Sequence, residues 1–516
     1  MPWSTALLLV VLLLSGCASL PPLNGRVAST AITDTADTRL GRALQEAVIA
    51  NPDQSGIYPL QVPQDAFAAR ALLTRVAERS LDVQYYIWHG DYTGYLMLGE
   101  LWDAAERGVR VRLLLDDNGI SGLDPVIAAL DTHPNIEVRI FNPFVQRRFK
   151  ALGYLTDFGR VNHRMHNKSF TADSQATIIG GRNIGDEYFG AGEHIDFADV
   201  DVLAVGQVAG EVSKAFDLYW NSESAYPSGS IIGDAPVDAV AAMQAKIAEV
   251  RKAPEVAAYM KALETTPLID ALVARSLELV WAPATVVYDD PSKSLGQAEE
   301  HELLLTRLRE AMGKPERKID IISSYLVPGK DGTKTLCGYA ERGVELRILT
   351  NSLAATDVGL VHSGYIKRRK TLMHCGAKIY ELKPNATAIA GVGAPRTRYR
   401  SFGGSSTASL HAKTFGVDDS RIFVGSFNVD RRSIDINTEL GLVIDSPRLA
   451  GEVSTAMDRA KLRSAYEVSF TENGHSLQWR ERTEQGDVIY THEPKTGFFK
   501  RMFVKFMSWL PIDWLL

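Results

Sequence analysis

The residues with the clearest potential for chemistry are His166 and Lys168, which are separated by one residue. On a β-strand two such side chains point to the same face, because successive side chains alternate. An imidazole can attack an electrophile or transfer a proton, and an ammonium group supplies a positive charge. The combination suits a phosphate group, but a single copy of so short a pattern often arises by chance.

A second copy of the pattern makes chance an insufficient explanation. His411 and Lys413 repeat the spacing, and an aspartate follows each lysine after four intervening residues: Asp173 in the first copy and Asp418 in the second. Both aspartates fall where a strand is predicted to turn back on the next one. We therefore expect them to anchor turns, although they belong to the candidate catalytic motifs.

The matched spacing extends well beyond the lysines. At equal distances from the two histidines stand a glycine, a second small residue and an asparagine, namely Gly180, Gly181 and Asn183 in one half and Gly425, Ser426 and Asn428 in the other. The small residues predict a close approach of the backbone to a ligand. The two asparagine amides are candidates for stabilising charge on phosphoryl oxygens.

A catalytic imidazole needs a carboxylate that fixes its tautomer and stabilises its charged form. In the second half Glu439 precedes an apolar run, and we assign it to His411. Aligning the ends of the corresponding runs places Asp199 opposite Glu439, so that we assign Asp199 to His166. Asp201, on the same strand face, is the alternative.

These side chains must be positioned by an α/β scaffold, which the rest of the sequence predicts. A strand at 81–87, a helix at 96–107 and a strand at 109–115 form a β-α-β unit with a right-handed crossover. The segment 339–349 repeats the pattern of 104–114. The chain is therefore an internal duplication, and its halves are expected to pack closely because no Gly/Ser-rich linker separates them.

Composition limits the possible functions. The 516 residues are 45% hydrophobic and 23% charged, which is typical of a globular protein large enough for two domains. The net charge of −6 disfavours a dedicated nucleic-acid binder, and no nucleic-acid partner is expected. Cys337 and Cys375 lack metal-binding spacing, so we expect free, buried thiols and no metal site, with a disulfide between them as the alternative.

Both ends of the chain carry membrane signals. Residues 6–14 are an apolar run too short to span a bilayer, followed by small residues and Cys17, and this layout resembles the leader of bacterial lipoproteins, in which that cysteine is lipidated. At the other end, residues 498–510 mix aromatic and cationic side chains, a composition typical of an interfacial helix. The alternative for this end is a helix packed on the protein. We expect a membrane-associated protein of the bacterial cell envelope, anchored at Cys17.

The paired motifs resemble the HKD signature of the phospholipase D superfamily. The strings at 162–170, 180–189, 409–414 and 437–441 resemble its bacterial cardiolipin synthase branch. The resemblance implies two phospholipase D-like α/β domains with mixed sheets flanked by helices, related by a pseudo-twofold axis, with one active site at their interface. The expected divisions are a signal peptide at 1–17, a tether at 18–56, a first domain at 57–235, a helical bridge at 236–280, a second domain at 281–490 and a membrane-interface segment at 491–516.

The resemblance also implies an activity, that of a phosphatidyltransferase working through a phosphohistidine without metal or cofactor. One of His166 and His411 would be the nucleophile and the other the acid/base, and the resemblance favours His166 as the nucleophile. Lys168 and Lys413 would stabilise negative charge on the phosphoryl oxygens. The expected substrates are phospholipids at a membrane surface, phosphatidylglycerol and possibly phosphatidylethanolamine. A phospholipase D-type hydrolase is the main alternative, and a nuclease is a weaker one.

Overall fold

The structure is a computed structural model that describes residues 19–191, 195–264, 266–274, 276–384, 386 and 407–510. The expected signal peptide and the lipidation site at Cys17 lie outside the described residues, as does the end of the C-terminal segment from residue 511. Everything that follows refers to the described part of the chain.

The β-strands form two large mixed sheets and two small ones. In chain order the strands are β1 Ser55–Leu60, β2 Ser80–Ile87, β3 Arg110–Gly119, β4 Ile136–Phe141, β5 Ser169–Ala172, β6 Ala176–Gly180, β7 Ile195–Ala198, β8 Asp201–Gly206, β9 Ala225–Pro227, β10 Val280–Ala282, β11 Ala284–Tyr288, β12 Lys318–Ser323, β13 Leu326–Val327, β14 Glu345–Asn351, β15 Lys378–Leu382, β16 Thr407–Leu410, β17 Lys413–Val417, β18 Arg421–Gly425, β19 Val429–Asp430, β20 Leu440–Asp445, β21 Ala465–Phe470, β22 Leu477–Thr483 and β23 Gly486–Tyr490.

Helices cover the faces of both sheets. The α-helices are α1 Arg39–Ala50, α2 Pro63–Val76, α3 Tyr92–Glu106, α4 Asp124–Leu130, α5 Lys150–Thr156, α6 Phe158–Val161, α7 Asp186–Phe189, α8 Gln207–Trp220, α9 Ser228–Ile232, α10 Ala239–Lys252, α11 Pro254–Leu263, α12 Pro267–Val273, α13 Leu304–Met312, α14 Gly329–Glu341, α15 Gly359–His374, α16 Pro447–Arg459 and α17 Phe498–Met507. Short 3₁₀ segments occupy Pro291–Leu295 and Glu300–Glu302, and π-helical turns occupy Arg432–Ile436 and Ala460–Ser464.

The strand orders confirm the duplication. The first sheet runs β10-β1-β8-β6-β5-β2-β3-β4-β9, and the second runs β11-β20-β18-β17-β12-β14-β15-β21-β22-β23. The series β8-β6-β5-β2-β3-β4 thus has its counterpart in β20-β18-β17-β12-β14-β15. In each, the β-α-β strands pair in parallel while the motif-bearing hairpin is antiparallel. The predicted α/β fold with two copies of one unit is correct.

The two halves share a hydrophobic core. Ile179 and Val202 of the first sheet pack in one buried cluster with Ile422 and Leu442 of the second. Each of these strands is also buried on its other face, as expected for sheets covered on both sides. The close packing predicted from the lack of a flexible linker is confirmed.

Most of the segment predicted to be a tether is bound to the first domain. Helix α1 and strand β1 begin within it, and the extended part before α1 forms hydrogen bonds across the domain. Arg26 donates to the carbonyl oxygens of Asn221 and Ala225, at 2.8 and 2.9 Å, beside the end of α8. The amide of Ala31 donates to a carboxylate oxygen of Asp217 at 2.9 Å. Composition alone did not reveal these partners, because they lie about 190 positions away in the sequence.

The cysteine pair also differs from the expectation of free thiols. Cys337 in α14 and Cys375 at the end of α15 form a disulfide, with Cα atoms 5.4 Å apart. The bond crosslinks two helices that pack side by side, so that residues 38 positions apart become neighbours. No sequence pattern specifies such a pairing, because it depends on how the helices pack.

The C-terminal helix α17 is amphipathic, but most of its apolar side chains face outward. Val504 is buried, whereas Phe499 is 81% exposed. Phe498, Met502, Phe503, Phe506 and the following Trp509 are also exposed. The predicted membrane-interface segment therefore has both an anchored side and a free apolar side. Among the described helices, none has the length and apolar character needed to cross a membrane.

The motif aspartates anchor the hairpins, as the turn interpretation predicted. Asp173 accepts hydrogen bonds from the backbone N–H groups of residues 78–80, and Asp418 accepts them from residues 316–318. Both have a positive φ, 50° and 54°, at the turn. Each carboxylate thus ties a motif-bearing hairpin to the first residues of the neighbouring central strand, at the end remote from the histidines.

Removing these anchors should destabilise the fold. Asp173→Ala should lower the free energy of unfolding by about 3 kcal/mol, because three N–H groups, that of Ser80 buried and those of residues 78 and 79 partly buried, lose a buried charged acceptor. The more exposed Asp418→Ala should have a smaller effect. Urea denaturation of both variants tests this order, and an Asp173→Ala protein with unchanged stability would contradict the anchoring role.

Candidate active site

The two histidine-lysine motifs meet at the interface between the halves. His166 and Lys168 directly precede β5, and His411 and Lys413 stand at the corresponding start of β17. All four residues are buried, the histidines being 8% and 7% exposed and the lysines 2% and 1%. The structure thus brings together the four residues that the sequence predicted to form one site.

Each histidine is bound by a carboxylate of the opposite half. Nδ1 of His166 lies 2.8 Å from Oε2 of Glu439, and Nδ1 of His411 lies 2.6 Å from Oδ2 of Asp199. The predicted carboxylates are therefore the right residues with the wrong partners. We had assigned Asp199 to His166 and Glu439 to His411, within the same half.

The backbone explains this crosswise pairing. Strand β16, which ends one residue before His411, pairs in parallel with β7, which ends one residue before Asp199. In the symmetric position, the amide of His166 donates to the carbonyl of Thr438 at 2.9 Å, one residue before Glu439. His411 is thus placed by a strand pairing between the halves, and His166 by an isolated bridge between Met165 and Thr438. Nothing in the sequence indicates that these segments pair across the interface.

The alternative carboxylate, Asp201, has a structural role. It is fully buried and forms ion pairs with Arg70, at 2.9 Å, and with Arg182, at 3.4 Å. Its position at the start of β8 directs its side chain toward α2 rather than toward a histidine, because Arg70 lies in that helix. Of the two aspartates that the alignment offered, Asp199 is the one in contact with a histidine, namely His411.

The crosswise bonds determine which ring nitrogen faces the reaction. A carboxylate accepts hydrogen bonds, so Nδ1 of each imidazole carries the proton and donates it. In the neutral ring Nε2 then has a free lone pair. Both histidines are consequently held in the tautomer that a nucleophile or a general base requires.

The two carboxylates have different surroundings. Glu439 accepts additional hydrogen bonds from the hydroxyl groups of Ser426 and Ser433, the latter at 2.7 Å. Burial raises the pKa of Glu439, and Lys168 and these hydroxyl groups oppose the shift only in part. Burial acts on Asp199 in the same direction, but the facing His411 holds the pKa of Asp199 below its ordinary value.

Gly181 occupies the position that Ser426 occupies in the second half. A Cβ atom on Gly181 would lie 2.2 Å from Oδ1 of Asp199, so that no side chain fits there. The preceding Gly180 and Gly425 are equally crowded, by Asp201 and by the backbone at Leu440. These small residues were predicted to admit a ligand. In the structure they instead leave room for the neighbouring chain segment, including the carboxylates of Asp199 and Asp201.

The lysines make the buried site electropositive. Nζ of Lys168 donates to the carbonyl of His166 at 2.6 Å, and Nζ of Lys413 lies 3.0 Å from Nδ1 of His411. Burial, followed by repulsion from Lys413, lowers the pKa of Lys168 to about 7. Burial likewise lowers the pKa of Lys413. Two cations held in a dry interface favour the binding of an anion, which restores the lost hydration.

The histidines respond to the same field. Burial and the two lysines lower the pKa of His166 well below its ordinary value. The pKa of His411 is lowered as well, but the nearby Asp199 opposes that shift. Both imidazoles are therefore biased toward the neutral form, and the bias is stronger for His166.

The predicted asparagines are not equivalent. Asn183 uses both ends of its amide within the protein, since Oδ1 accepts from the amide of Ile87 at 3.1 Å and Nδ2 donates to the hydroxyl of Tyr188 at 2.9 Å. It therefore positions Tyr188, whose ring stands 5.2 Å from that of His411. Oδ1 of Asn428 accepts from Ser324 at 2.9 Å, whereas its Nδ2 has no hydrogen bond to the described residues.

Aromatic residues around the histidines were not predicted as site residues. Tyr86 meets the ring of His166 edge-on with centroids 5.0 Å apart, and Phe197 lies 4.9 Å from the ring of His411. Tyr86 and its neighbour Tyr85 both lie near the end of β2. Because side chains alternate, Tyr85 instead bonds to Arg70 at 2.8 Å.

Comparison with known proteins gives this site a family. The family described as "Cardiolipin synthase, PLD-like domain" matches residues 73–220 and 308–461, the two duplicated halves. The chain belongs to this family of phospholipase D-like enzymes. The resemblance seen in the motifs is confirmed, and with it the expectation of a phospholipase D-type phosphatidyltransferase.

Individual relatives agree with the family. Cardiolipin synthase C of Escherichia coli (strain K12) is 45% identical over 93% of this chain and 100% of its own length. An uncharacterized protein of Helicobacter pylori (strain ATCC 700392 / 26695) is 33% identical over 98% of both chains. Among solved structures, phosphatidylserine synthase of Haemophilus influenzae Rd KW20 shares the fold, with a TM-score of 0.57 at 13% identity over 93% of this chain and all of its own.

The crowding at Gly181 predicts a strong effect of a single methyl group. Gly181→Ala should displace Asp199 from His411 and lower turnover of a phosphodiester substrate by about 100-fold, the usual consequence of a misplaced catalytic group. Gly210→Ala is the matched control, because a Cβ at this position in α8 meets nothing within 4 Å. Full activity in Gly181→Ala would show that the Asp199–His411 contact is dispensable.

The buried lysines predict an unusual dependence on pH. kcat/KM should fall in two stages as the pH rises. The first stage comes as His411, the expected acid/base, whose pKa lies below its ordinary value, loses its proton, and the second as Lys168, whose pKa is about 7, loses its positive charge. The low pKa of His166 should place the acidic limb of the profile well below pH 6.5. Lys168→Arg stays charged and should remove the second stage, so that the fall becomes less steep. A fall near pH 7 that is as steep in this variant as in the unmodified protein would contradict the assignment.

Proposed function

We propose that this protein transfers the phosphatidyl group of one phospholipid to a hydroxyl group on the headgroup of another, producing a cardiolipin-type lipid. The observation that supports this most directly is the site itself, with two carboxylate-bound histidines and two buried lysines facing one another across the domain interface. The 45% identity to Cardiolipin synthase C of Escherichia coli over that protein's full length supports the choice of a lipid substrate.

In the first step Nε2 of His166 attacks the phosphorus atom. A P–N bond forms and the P–O bond to the departing alcohol breaks, while His411 donates a proton to the alcohol oxygen. The lower pKa of His166 supports its role as nucleophile, and the pairing of His411 with the strongly acidic Asp199 supports its role as the acid. The same assignment, with His166 as nucleophile, is the one that the resemblance to the family favours.

In the second step the acceptor reverses the exchange. Its hydroxyl group gives a proton to His411 and attacks the phosphorus, so that a P–O bond forms and the P–N bond to His166 breaks. Lys168 and Lys413 stabilise the charge on the phosphoryl oxygens in both transition states. The free amide of Asn428 supports a further contact to one of these oxygens. All of these steps use groups of the protein alone.

The proposed substrates are phosphatidylglycerol and possibly phosphatidylethanolamine. Each offers a phosphodiester for the first step, from which glycerol or ethanolamine leaves, and phosphatidylglycerol also offers a free headgroup hydroxyl that can attack in the second step. The same site would also hydrolyse phospholipids if water replaced the acceptor, which makes a phospholipase D-type hydrolase the second candidate. The aromatic residues Tyr86, Tyr188 and Phe197 around the histidines favour transfer, since they limit the access of water.

We propose that the protein works in the bacterial cell envelope, anchored at a membrane through lipidated Cys17. Three observations support this placement. The leader has the layout of a lipoprotein, the Cys337–Cys375 disulfide is typical of an oxidising compartment, and α17 presents aromatic side chains to solvent.

Product analysis tests this function. Purified protein and vesicles of phosphatidylglycerol, with and without phosphatidylethanolamine, should yield cardiolipin detectable by mass spectrometry. His166→Ala and His411→Ala should each lower the rate by at least about 10³-fold while leaving thermal unfolding unchanged. Phosphatidic acid as the sole product would establish the hydrolase instead.

A second experiment, on a substrate with an activated leaving group, determines which histidine is the nucleophile. If His411 is the acid and base, His411→Ala should still accept a phosphatidyl group from a substrate whose leaving alcohol needs no proton, such as a nitrophenyl ester. Intact-mass analysis should then show a covalent phosphatidyl adduct that His166→Ala lacks. An adduct on His166→Ala alone would reverse the two roles.

A further inference from the structure

A small apolar ridge stands beside the active site. It consists of Phe149, Leu152 and Leu155, whose exposed fractions are 69%, 47% and 83%. The spacing of three residues places them on one side of α5 and its first flanking residue. Exposed apolar side chains that form a contiguous patch mark a binding surface more often than single ones do.

The ridge is held outward by the protein rather than left loose. The buried carboxylate of Asp117 binds Arg147 and accepts from Lys150 at 2.8 Å, on either side of Phe149. On the inner side of α5, Gly153 is buried against Phe144, which a Cβ at Gly153 would approach to 2.7 Å. One side of the helix is therefore fixed to the domain, and the apolar side is presented to the surroundings.

The helix is connected to the reacting histidine. The hydroxyl of Tyr154 donates to Oδ1 of Asn118 at 2.9 Å, and Nδ2 of Asn118 donates to the hydroxyl of Tyr86 at 3.2 Å. The ring of Tyr86 in turn stands 5.0 Å from that of His166. Two hydrogen bonds and one ring contact thus separate the ridge from the site.

A cation accompanies the apolar side chains. Arg148, next to Phe149, is exposed and has no ion pair with the described residues. A free cation beside exposed aromatic and aliphatic side chains is the composition that binds the interface of an anionic membrane. A protein partner would have to match this short ridge with acidic side chains, whereas an anionic lipid surface offers both the charge and the apolar layer.

We propose that the 149–155 ridge inserts into the surface of a bilayer of anionic phospholipids and sets the active site against the headgroups. The proposal rests on the proposed function, because a phospholipid substrate must reach the histidines without leaving the membrane entirely. Insertion of the ridge places Tyr86 and His166 just above the headgroups, and the acyl chains remain in the bilayer.

The course of the N-terminal segment supports this orientation. Arg26 binds the carbonyl of Ala225, which pairs with Phe141 at the carboxyl end of β4, the end from which the chain leads to α5. Further along, the carbonyl of Asp34 accepts from Arg79, next to the opposite end of the sheet. Arg26 therefore lies at the same end of the first sheet as the ridge.

Fluorescence tests the insertion directly. Leu155→Trp in the full-length protein, with the unmodified protein subtracted, should show a blue-shifted emission that is quenched by vesicles of phosphatidylglycerol carrying brominated acyl chains. Ile49→Trp is the matched control. Ile49 is 71% exposed, and α1 leads to Ser55, which pairs with Gly206 at the end of the sheet away from the site. Its tryptophan should not be quenched.

Turnover provides a second measurement. In the variant Phe149→Ser/Leu152→Ser/Leu155→Ser, the ratio of activity on phosphatidylglycerol vesicles to activity on monomeric short-chain phosphatidylglycerol should fall by at least about tenfold, because the lost apolar area weakens binding to the interface. Ile49→Ser should leave this ratio unchanged. All substituted side chains are exposed or half exposed, so that folding is not at risk.

The outcomes distinguish failure of the ridge proposal from failure of the proposed transfer reaction. An unquenched Leu155→Trp, or an unchanged activity ratio in the triple variant, would overturn the ridge proposal even if cardiolipin is formed. Quenching that depends on anionic lipid supports it even if the product is phosphatidic acid, since fluorescence does not depend on turnover. Quenching that is equal in Ile49→Trp would show non-specific adsorption and would also overturn the proposal.

Discussion

The exchange of carboxylates between the halves is the interaction on which the rest of the structure depends. Each imidazole takes its tautomer, its orientation and part of its electrostatic environment from the other half of the chain. Neither half therefore contains a working site by itself. Three contacts maintain the register of the two sheets at the histidines. They are the shared core of Ile179 and Ile422, the parallel pairing of β7 with β16, and the backbone hydrogen bonds at Thr438.

The buried charged groups at this interface suit it to bind a phosphodiester. The two lysines and two histidines share a buried interface with the carboxylates of Asp199 and Glu439, and the lysines present their charge to an anionic phosphodiester. The unequal surroundings of the carboxylates then give similar imidazoles different tendencies to hold a proton. Glu439 divides its hydrogen-bonding capacity between His166 and two serines, whereas Oδ2 of Asp199 serves His411. An almost symmetric fold thereby supports two distinct roles in one reaction.

Much of this arrangement could be predicted from the sequence, and the errors have physical reasons. Periodicity and the repeated motifs gave the α/β fold, the duplication and the four central residues, because local side-chain patterns determine strands and their faces. Alignment also selected Asp199 and Glu439. Their partners were assigned wrongly because the pairing of β16 with β7 is a contact between distant segments. The Cys337–Cys375 disulfide and the binding of Arg26 to the first domain were missed for the same reason, since both are contacts between distant segments. The roles of Gly181 and Asn183 could not be predicted because they depend on which side chains pack against these residues.

The difference between Gly181 and Ser426 has an evolutionary consequence. A crosswise exchange of ligands is what a dimer of two identical chains would produce about a twofold axis, where every substitution appears twice. In such a dimer a serine beside one carboxylate would require a serine beside the other, and the space next to Asp199 does not admit it. Joining the two copies in one chain removed that constraint. Each position can then differ from its counterpart, so that an aspartate stands in one half where a glutamate stands in the other, and only the glutamate has a serine beside it.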